Sequence, residues 1–130
     1  MEAGMTDSPR VLVVDDEPAI RRVLSEFLTM EGFIVDTAPD GRAAVGCLGE
    51  QAYDVVISDL KMPRLGGIDL ASRLISGGYT TPIILMSAGH QDLAGVSASF
   101  VRKPFDFDHL LATIARVLNP PAPRRTSATA

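Results

Sequence analysis

Five short runs of mostly β-branched residues, each closed by turn residues, alternate with stretches whose apolar side chains recur at helical spacing, and this alternation leaves few folds open. The runs are RVLVV (10 to 14), FIVDT (33 to 37), DVVIS (54 to 58), PIILMS (82 to 87) and SFVRK (99 to 103); they read as strands. After the first run, Ile20, Val23, Leu24, Phe27 and Leu28 follow the i, i+3, i+4, i+7, i+8 pattern of one helix face, and Gly32 stands where that helix would stop. Phe107, Leu110, Leu111, Ile114, Val117 and Leu118 repeat the pattern after the last run, ahead of Asn119-Pro120-Pro121. Weaker helical segments fall at about 40 to 50, behind Asp40 as a cap, and at about 67 to 76, after Gly66-Gly67. Strands separated by helices need right-handed crossovers and so form a parallel sheet covered on both faces. VLVV, VVI and IILM are apolar throughout, as doubly covered strands must be. The expectation is a doubly wound α/β domain.

A chain of 130 residues, 46% of them apolar, suits one domain with a sizeable core, placed at residues 9 to 119. Residues 1 to 8 and the tail PPAPRRTSATA (120 to 130) are expected to be disordered. A net charge of -4 and the lack of a basic stripe argue against nucleic acid as a direct partner. No apolar run approaches the roughly 18 residues of a membrane span, and MEAGMTDSPR has neither the charged nor the apolar region of a signal peptide. The single cysteine, Cys47, cannot form an internal disulfide and falls beside Ala44 and Leu48 on a helix face, which reads as core. The chain reads as cytoplasmic.

Ligands of an open parallel sheet bind at the carboxyl ends of its strands. The first strand ends in Asp15-Asp16-Glu17, the third in Asp59, the fourth in Ser87 and the fifth in Lys103, whereas the opposite ends carry mainly Arg10, Asp54 and Pro82. Asp15, Asp16 and Asp59 brought together would repel one another unless a cation intervened. Mg²⁺ is the economical choice, because it takes one or two carboxylates and leaves positions open to a phosphoryl oxygen. Lys103 supplies a further positive charge and Ser87 a hydroxyl, and a carboxylate nucleophile with these neighbours suits phosphoryl transfer. Each residue alone has a plainer reading. Asp15, Asp16 and Glu17 before Pro18 make an ordinary helix N-terminus. Asp59 suits the turn at Met62-Pro63, Lys103 a solvated strand end, Ser87 a structural hydroxyl and Phe100 the core.

VLVVDDEP, DLKMPRLGG, MSA and RKPFD, in this order and on these strands, resemble the strand-end motifs of the receiver domain of two-component response regulators, over about residues 9 to 119. The resemblance implies a flavodoxin-like, five-stranded parallel sheet of order 2-1-3-4-5. It implies that Asp59 accepts a phosphoryl group from the phosphohistidine of a sensor histidine kinase or a histidine phosphotransfer protein. Asp16, Asp59 and the backbone carbonyl of Lys61 would hold Mg²⁺, with Asp15 reaching the ion through water. Ser87 and Lys103 would bind the phosphoryl oxygens, Phe100 would respond when Ser87 is drawn inward, and the Lys103-Pro104 bond would be cis. Such a protein is a signalling switch or phosphorelay intermediate with an unknown output protein; it catalyses only its own phosphorylation and dephosphorylation.

The chain departs from the family between Ser87 and Phe100. Twelve residues, AGHQDLAGVSAS, leave little room for a full fourth helix, so that helix is expected to be short or missing and residues 88 to 99 an irregular loop. The expectation is a single-domain receiver acting as a switch or relay, without a DNA-binding domain after residue 119. Two alternatives stay open: a degenerate receiver that binds a partner without phosphorylation, and an aspartyl-nucleophile phosphohydrolase. The second lacks the acid that often lies two residues beyond the nucleophile, where this chain has Lys61. Neither G-x-G-x-x-G nor a P-loop occurs to support a nucleotide-binding protein.

Overall fold

The structure, a computed structural model, describes residues 8–62, 64–87, 99–103 and 106–118. Strands and helices alternate as β1 (Arg10–Val14), α1 (Pro18–Met30), β2 (Ile34–Ala38), α2 (Gly41–Glu50), β3 (Val55–Asp59), α3 (Gly67–Ser76), β4 (Ile83–Ser87), β5 (Ser99–Arg102) and α4 (Phe107–Leu118). The five strands form one sheet, β2-β1-β3-β4-β5, all pairs parallel. This is the flavodoxin-like 2-1-3-4-5 order expected from the sequence. The expected loop between β4 and β5, the Lys103-Pro104 bond and the expected disordered ends lie wholly or mostly outside the described residues.

Successive strand residues point to opposite faces, so each central strand must supply two cores at once. On one face Leu12, Val14, Val56 and Leu85 pack with Ala44 and Leu48 of α2 and Leu70 and Leu74 of α3. On the other, Val11, Val13, Val55, Ile57, Ile84 and Met86 pack with Leu24 and Leu28 of α1 and Leu110 and Ile114 of α4. Cys47 is partly buried against the first cluster, in keeping with its reading as a small packing residue.

Element boundaries follow from the local hydrogen bonds. The Phe33 amide donates to the Leu28 carbonyl at 3.1 Å and so closes α1, which moves the second strand one residue later than the run FIVDT suggested. Gly32 adopts φ +98°, the left-handed turn that ends a helix with least strain. Asp54 binds the Arg10 amide through its carboxylate at 2.7 Å and donates its own amide to the Arg10 carbonyl at 2.8 Å, so β3 runs from Val55 through Asp59 itself. Asp40 caps α2 as expected, its Oδ1 accepting the Ala43 amide at 2.9 Å.

The buried face of α1 is narrower than its periodicity suggested. Leu24 and Leu28 are buried, Ile20 and Phe27 pack at the margin, and Val23 is 48% exposed. Phe107 is also at the surface, where its ring stacks on Phe27 with centroids 4.0 Å apart and joins the first helix to the last. No described helix is long and apolar enough to cross a membrane. Leu24→Ala is expected to destabilise the fold by about 2–5 kcal/mol through loss of buried area and cavity formation, whereas Val23→Ala should change stability by less than about 0.5 kcal/mol. Urea unfolding of the two variants checks this, and equal losses would contradict the assignment of the α1 face.

Candidate phosphoacceptor site

The site is assembled by strand register. β1 and β3 are neighbours with Val14 opposite Ser58, so the next residues, Asp15 just past β1 and Asp59 at the end of β3, come side by side. Asp15 is fixed by both its backbone and its side chain. Its amide donates to the Ala38 carbonyl at 3.1 Å, its carbonyl accepts Arg21 Nη1 at 2.7 Å, and its Oδ1 accepts the Glu17 amide at 2.9 Å. Asp15 is thus both a ligand candidate and the anchor of the α1 entry.

Asp59 is held from behind. The Leu60 amide donates to the Met86 carbonyl at 2.8 Å, which ties the strand exit to β4, and Ser58 Oγ donates to the Asp59 carbonyl at 2.9 Å. The first residue of α3 is Gly67, where an added Cβ would lie 2.6 Å from that same carbonyl oxygen. The absence of a side chain there lets α3 start directly against the strand end. Lys103 donates its amide to the Ser87 carbonyl at 2.7 Å, bringing the β5 exit to β4. Its Nζ reaches Asp59 Oδ1 at 3.2 Å and Asp15 Oδ2 at 3.8 Å.

The electrostatics are unbalanced. Asp15, Asp16 and Asp59 each offer a carboxylate oxygen, all within 4.8 Å of one another. Lys103 is the cation bonded to this group among the described residues. Asp15 is fully buried, and its Oδ2 has no hydrogen-bond partner. Burial pushes the Asp15 carboxyl above its ordinary value; the Glu17 amide opposes that shift, the Asp59 charge adds to it, Lys103 opposes it and Asp16 adds to it. Three carboxylates beside one ammonium leave room for a doubly charged ion. An all-oxygen donor set with a buried oxygen left over fits a hard cation such as Mg²⁺.

The structure therefore brings together Asp15, Asp16, Asp59 and Lys103. Ser87 is buried at the end of β4, one residue beyond Met86, which pairs with Asp59 in the sheet. Lys61 is exposed, two residues beyond Asp59. Phe100 is partly buried in β5, paired in register with Leu85 and packed on the core that α2 and α3 cover. Sequence reasoning missed Arg21 and the ion pair between Arg64 Nη1 and Asp40 Oδ2 at 2.9 Å. Helical periodicity could have flagged Arg21, one turn into α1, as facing the preceding loop; nothing in the sequence marks Arg64.

Comparison with known proteins gives a consistent result. The family model described as Response regulator receiver domain matches residues 11–115. The transcriptional regulatory protein TcrA of Mycobacterium tuberculosis is 34% identical over 117 residues, covering 85% of this chain and 46% of that protein; the chain spans about half the length of most of the first curated relatives it matches. Among solved structures, chemotaxis protein CheY4 of Vibrio cholerae matches with a TM-score of 0.78 at 31% identity, covering 86% of this chain and 100% of that one. The response regulator TrrA of Thermotoga maritima, solved in complex with Mg²⁺ and BeF, matches with a TM-score of 0.78 at 35% identity, covering 85% and 99%.

The raised Asp15 carboxyl sets a pH dependence. A folded-state pKa above the unfolded one adds stability below the ordinary value of 3.8 and loses it as pH rises through the folded value, so at neutral pH metal-free protein has lost that contribution. Asp15→Asn keeps an acceptor for the Glu17 amide but carries no charge. Its melting temperature in EDTA should exceed that of wild type at neutral pH, and the gap should close on acidification toward pH 3.8. Saturating Mg²⁺ should stabilise wild type more than the variant. A lower metal-free melting temperature for Asp15→Asn at neutral pH would contradict this.

Proposed function

The chain belongs to the response regulator receiver domain family, and on that footing we propose that it accepts a phosphoryl group on Asp59 from the phosphohistidine of a sensor histidine kinase or a histidine phosphotransfer protein. The change is then passed to an output protein, with this chain acting as a switch or phosphorelay intermediate. The observation that carries the reading is the contact of Lys103 Nζ with Asp59 Oδ1 at 3.2 Å inside a cluster of three carboxylates. A salt bridge built only for stability would not need two further carboxylates beside it.

In the proposed reaction an Asp59 carboxylate oxygen attacks phosphorus in line. The phosphorus–nitrogen bond breaks, its electron pair stays with the imidazole nitrogen, and an acyl phosphate forms on Asp59. Lys103 and the Ser87 hydroxyl receive the phosphoryl oxygens. Asp16, Asp59 and the Lys61 carbonyl would hold Mg²⁺, with Asp15 acting through water; the bound ion supplies charge neutralisation. Attack of water on the same phosphorus returns free Asp59, so the chain turns over only its own phosphoryl group. The similarity to TrrA, solved in complex with Mg²⁺ and BeF, supports the Mg²⁺-dependent reading.

Phosphorylation supplies charge at the strand ends, where Ser87 would respond first, and Phe100, lower on the adjacent strand opposite Leu85, would relay the change. A formal net charge of -4 favours a protein over nucleic acid as the immediate partner. Treatment with acetyl phosphate and Mg²⁺ should add the mass of one phosphoryl group to wild type, and Asp59→Asn should lose at least about 100-fold of that labelling because an amide is no nucleophile. Undiminished labelling of the variant would exclude Asp59 as the acceptor. Lack of labelling in wild type, with a kinase or with acetyl phosphate, would favour an unphosphorylated interaction module.

A further inference from the structure

The loop that follows Asp59 is gripped by a helix that otherwise has no part in the site. Arg64 has φ +69°, the left-handed region, and it is the non-glycine residue found there among those described. Glycine would take this conformation freely, whereas a side chain makes it uphill unless the surroundings hold it. What holds Arg64 is α2. Its Nη1 lies 2.9 Å from Asp40 Oδ2, and the other oxygen of that carboxylate is already fixed by the Ala43 amide. The next residue is gripped by the same helix turn. The Gly41 amide donates to the Leu65 carbonyl at 3.1 Å, and a Cβ on Gly41 would lie 2.5 Å from that oxygen, so the loop is pressed against the start of α2.

At its other end the loop is tied to the sheet. The Leu60 amide binds the Met86 carbonyl at 2.8 Å, and the Leu60 carbonyl accepts the Gly67 amide at 2.9 Å. Lys61 therefore lies in a short span between a residue bonded to the sheet and a residue bonded to α2. A carbonyl ligand helps bind an ion that demands near-ideal octahedral geometry only when its peptide is oriented in advance.

We infer that the Asp40–Arg64 ion pair is a positioning device for the metal site, fixing from the N-terminus of α2 the loop that presents the Lys61 carbonyl. This rests on the Mg²⁺-dependent function proposed above. Asp40 and Arg64 touch neither the ion nor the phosphoryl group; they act through the backbone. The pair's effect is therefore read in metal affinity and in the order of residues 61 and 62, before any phosphoryl donor is added.

Calorimetric titration of Mg²⁺ into the full chain tests this, with amide hydrogen exchange of the metal-free protein as a second readout. Arg64→Ala and Asp40→Asn should each weaken Mg²⁺ binding about 10-fold, the lower end of the range for residues that orient ligands, and speed exchange at Lys61 and Met62. Asp40→Asn retains the helix cap, and Arg64→Gly suits the backbone angle, so both remain folded. Arg64→Gly should still lose affinity, Arg64→Lys should recover part of it, and the Asp40→Asn/Arg64→Ala double variant should bind little worse than either single variant. Wild-type affinity in Arg64→Ala and Asp40→Asn, whatever their melting temperatures, would overturn the inference. Asp59→Asn is the control for the underlying reading: wild-type Mg²⁺ affinity in that variant would overturn the site itself, and the positioning role with it.

Discussion

Three carboxylates at the end of a sheet are the constraint around which the rest of this structure is arranged. Parallel pairing of β1 with β3 puts Asp15 beside Asp59 by register alone, and burial of Asp15 removes the water that would screen them. Lys103 meets part of the demand from a third strand. The fold supplies rigidity around the cluster: Arg21 and Glu17 hold the Asp15 backbone and side chain, Gly67 lets α3 start against Asp59, and β4 receives the exits of both β3 and β5. Such a group is stabilised by whatever brings positive charge to it. A site that is electrostatically incomplete when the protein is alone is one that responds to ions and ligands.

Much of this was legible in the sequence because two independent periodicities agree. Strands read as continuous apolar runs because both faces are buried, and the polar residues that end them mark one edge of the sheet. Asp15, Asp59 and Lys103 are found that way, and the strand order follows the family resemblance. Where the structure departs, the causes are local. Val23 has the spacing of a core residue but lies on the rim of α1, since the buried stripe is only wide enough for Leu24 and Leu28 with Ile20 and Phe27 at its margin. Asp15 and Asp16 are equivalent as letters, yet one is fully buried and the other exposed, because consecutive residues leaving a strand point to different sides.

The loop beyond Asp59 was not legible, for a physical reason. Its conformation depends on one residue at positive φ and on one rotamer that reaches another helix. Periodicity carries no information about either, and an arginine in a left-handed turn runs against local preference. Local rules and tertiary structure conflict here beside a candidate functional group, which is where such conflicts concentrate.

The central position of β1 has a consequence for how the chain acquires this structure. The first of the five strands, β1, lies between β2 and β3, and the face it shares with Ile57 and Ile84 is covered by Leu24 and Leu28 of α1 and completed by Leu110 and Ile114 of α4. During synthesis, Leu24 and Leu28 of α1 cover only part of that apolar surface, and the rest stays open until α4 has left the ribosome. Contacts of such large sequence separation slow folding and leave sticky intermediates. The Phe27–Phe107 stack then joins α1 to α4 over that face, so a chain that stopped short of α4 would leave open the part of the sheet that Leu110 and Ile114 cover.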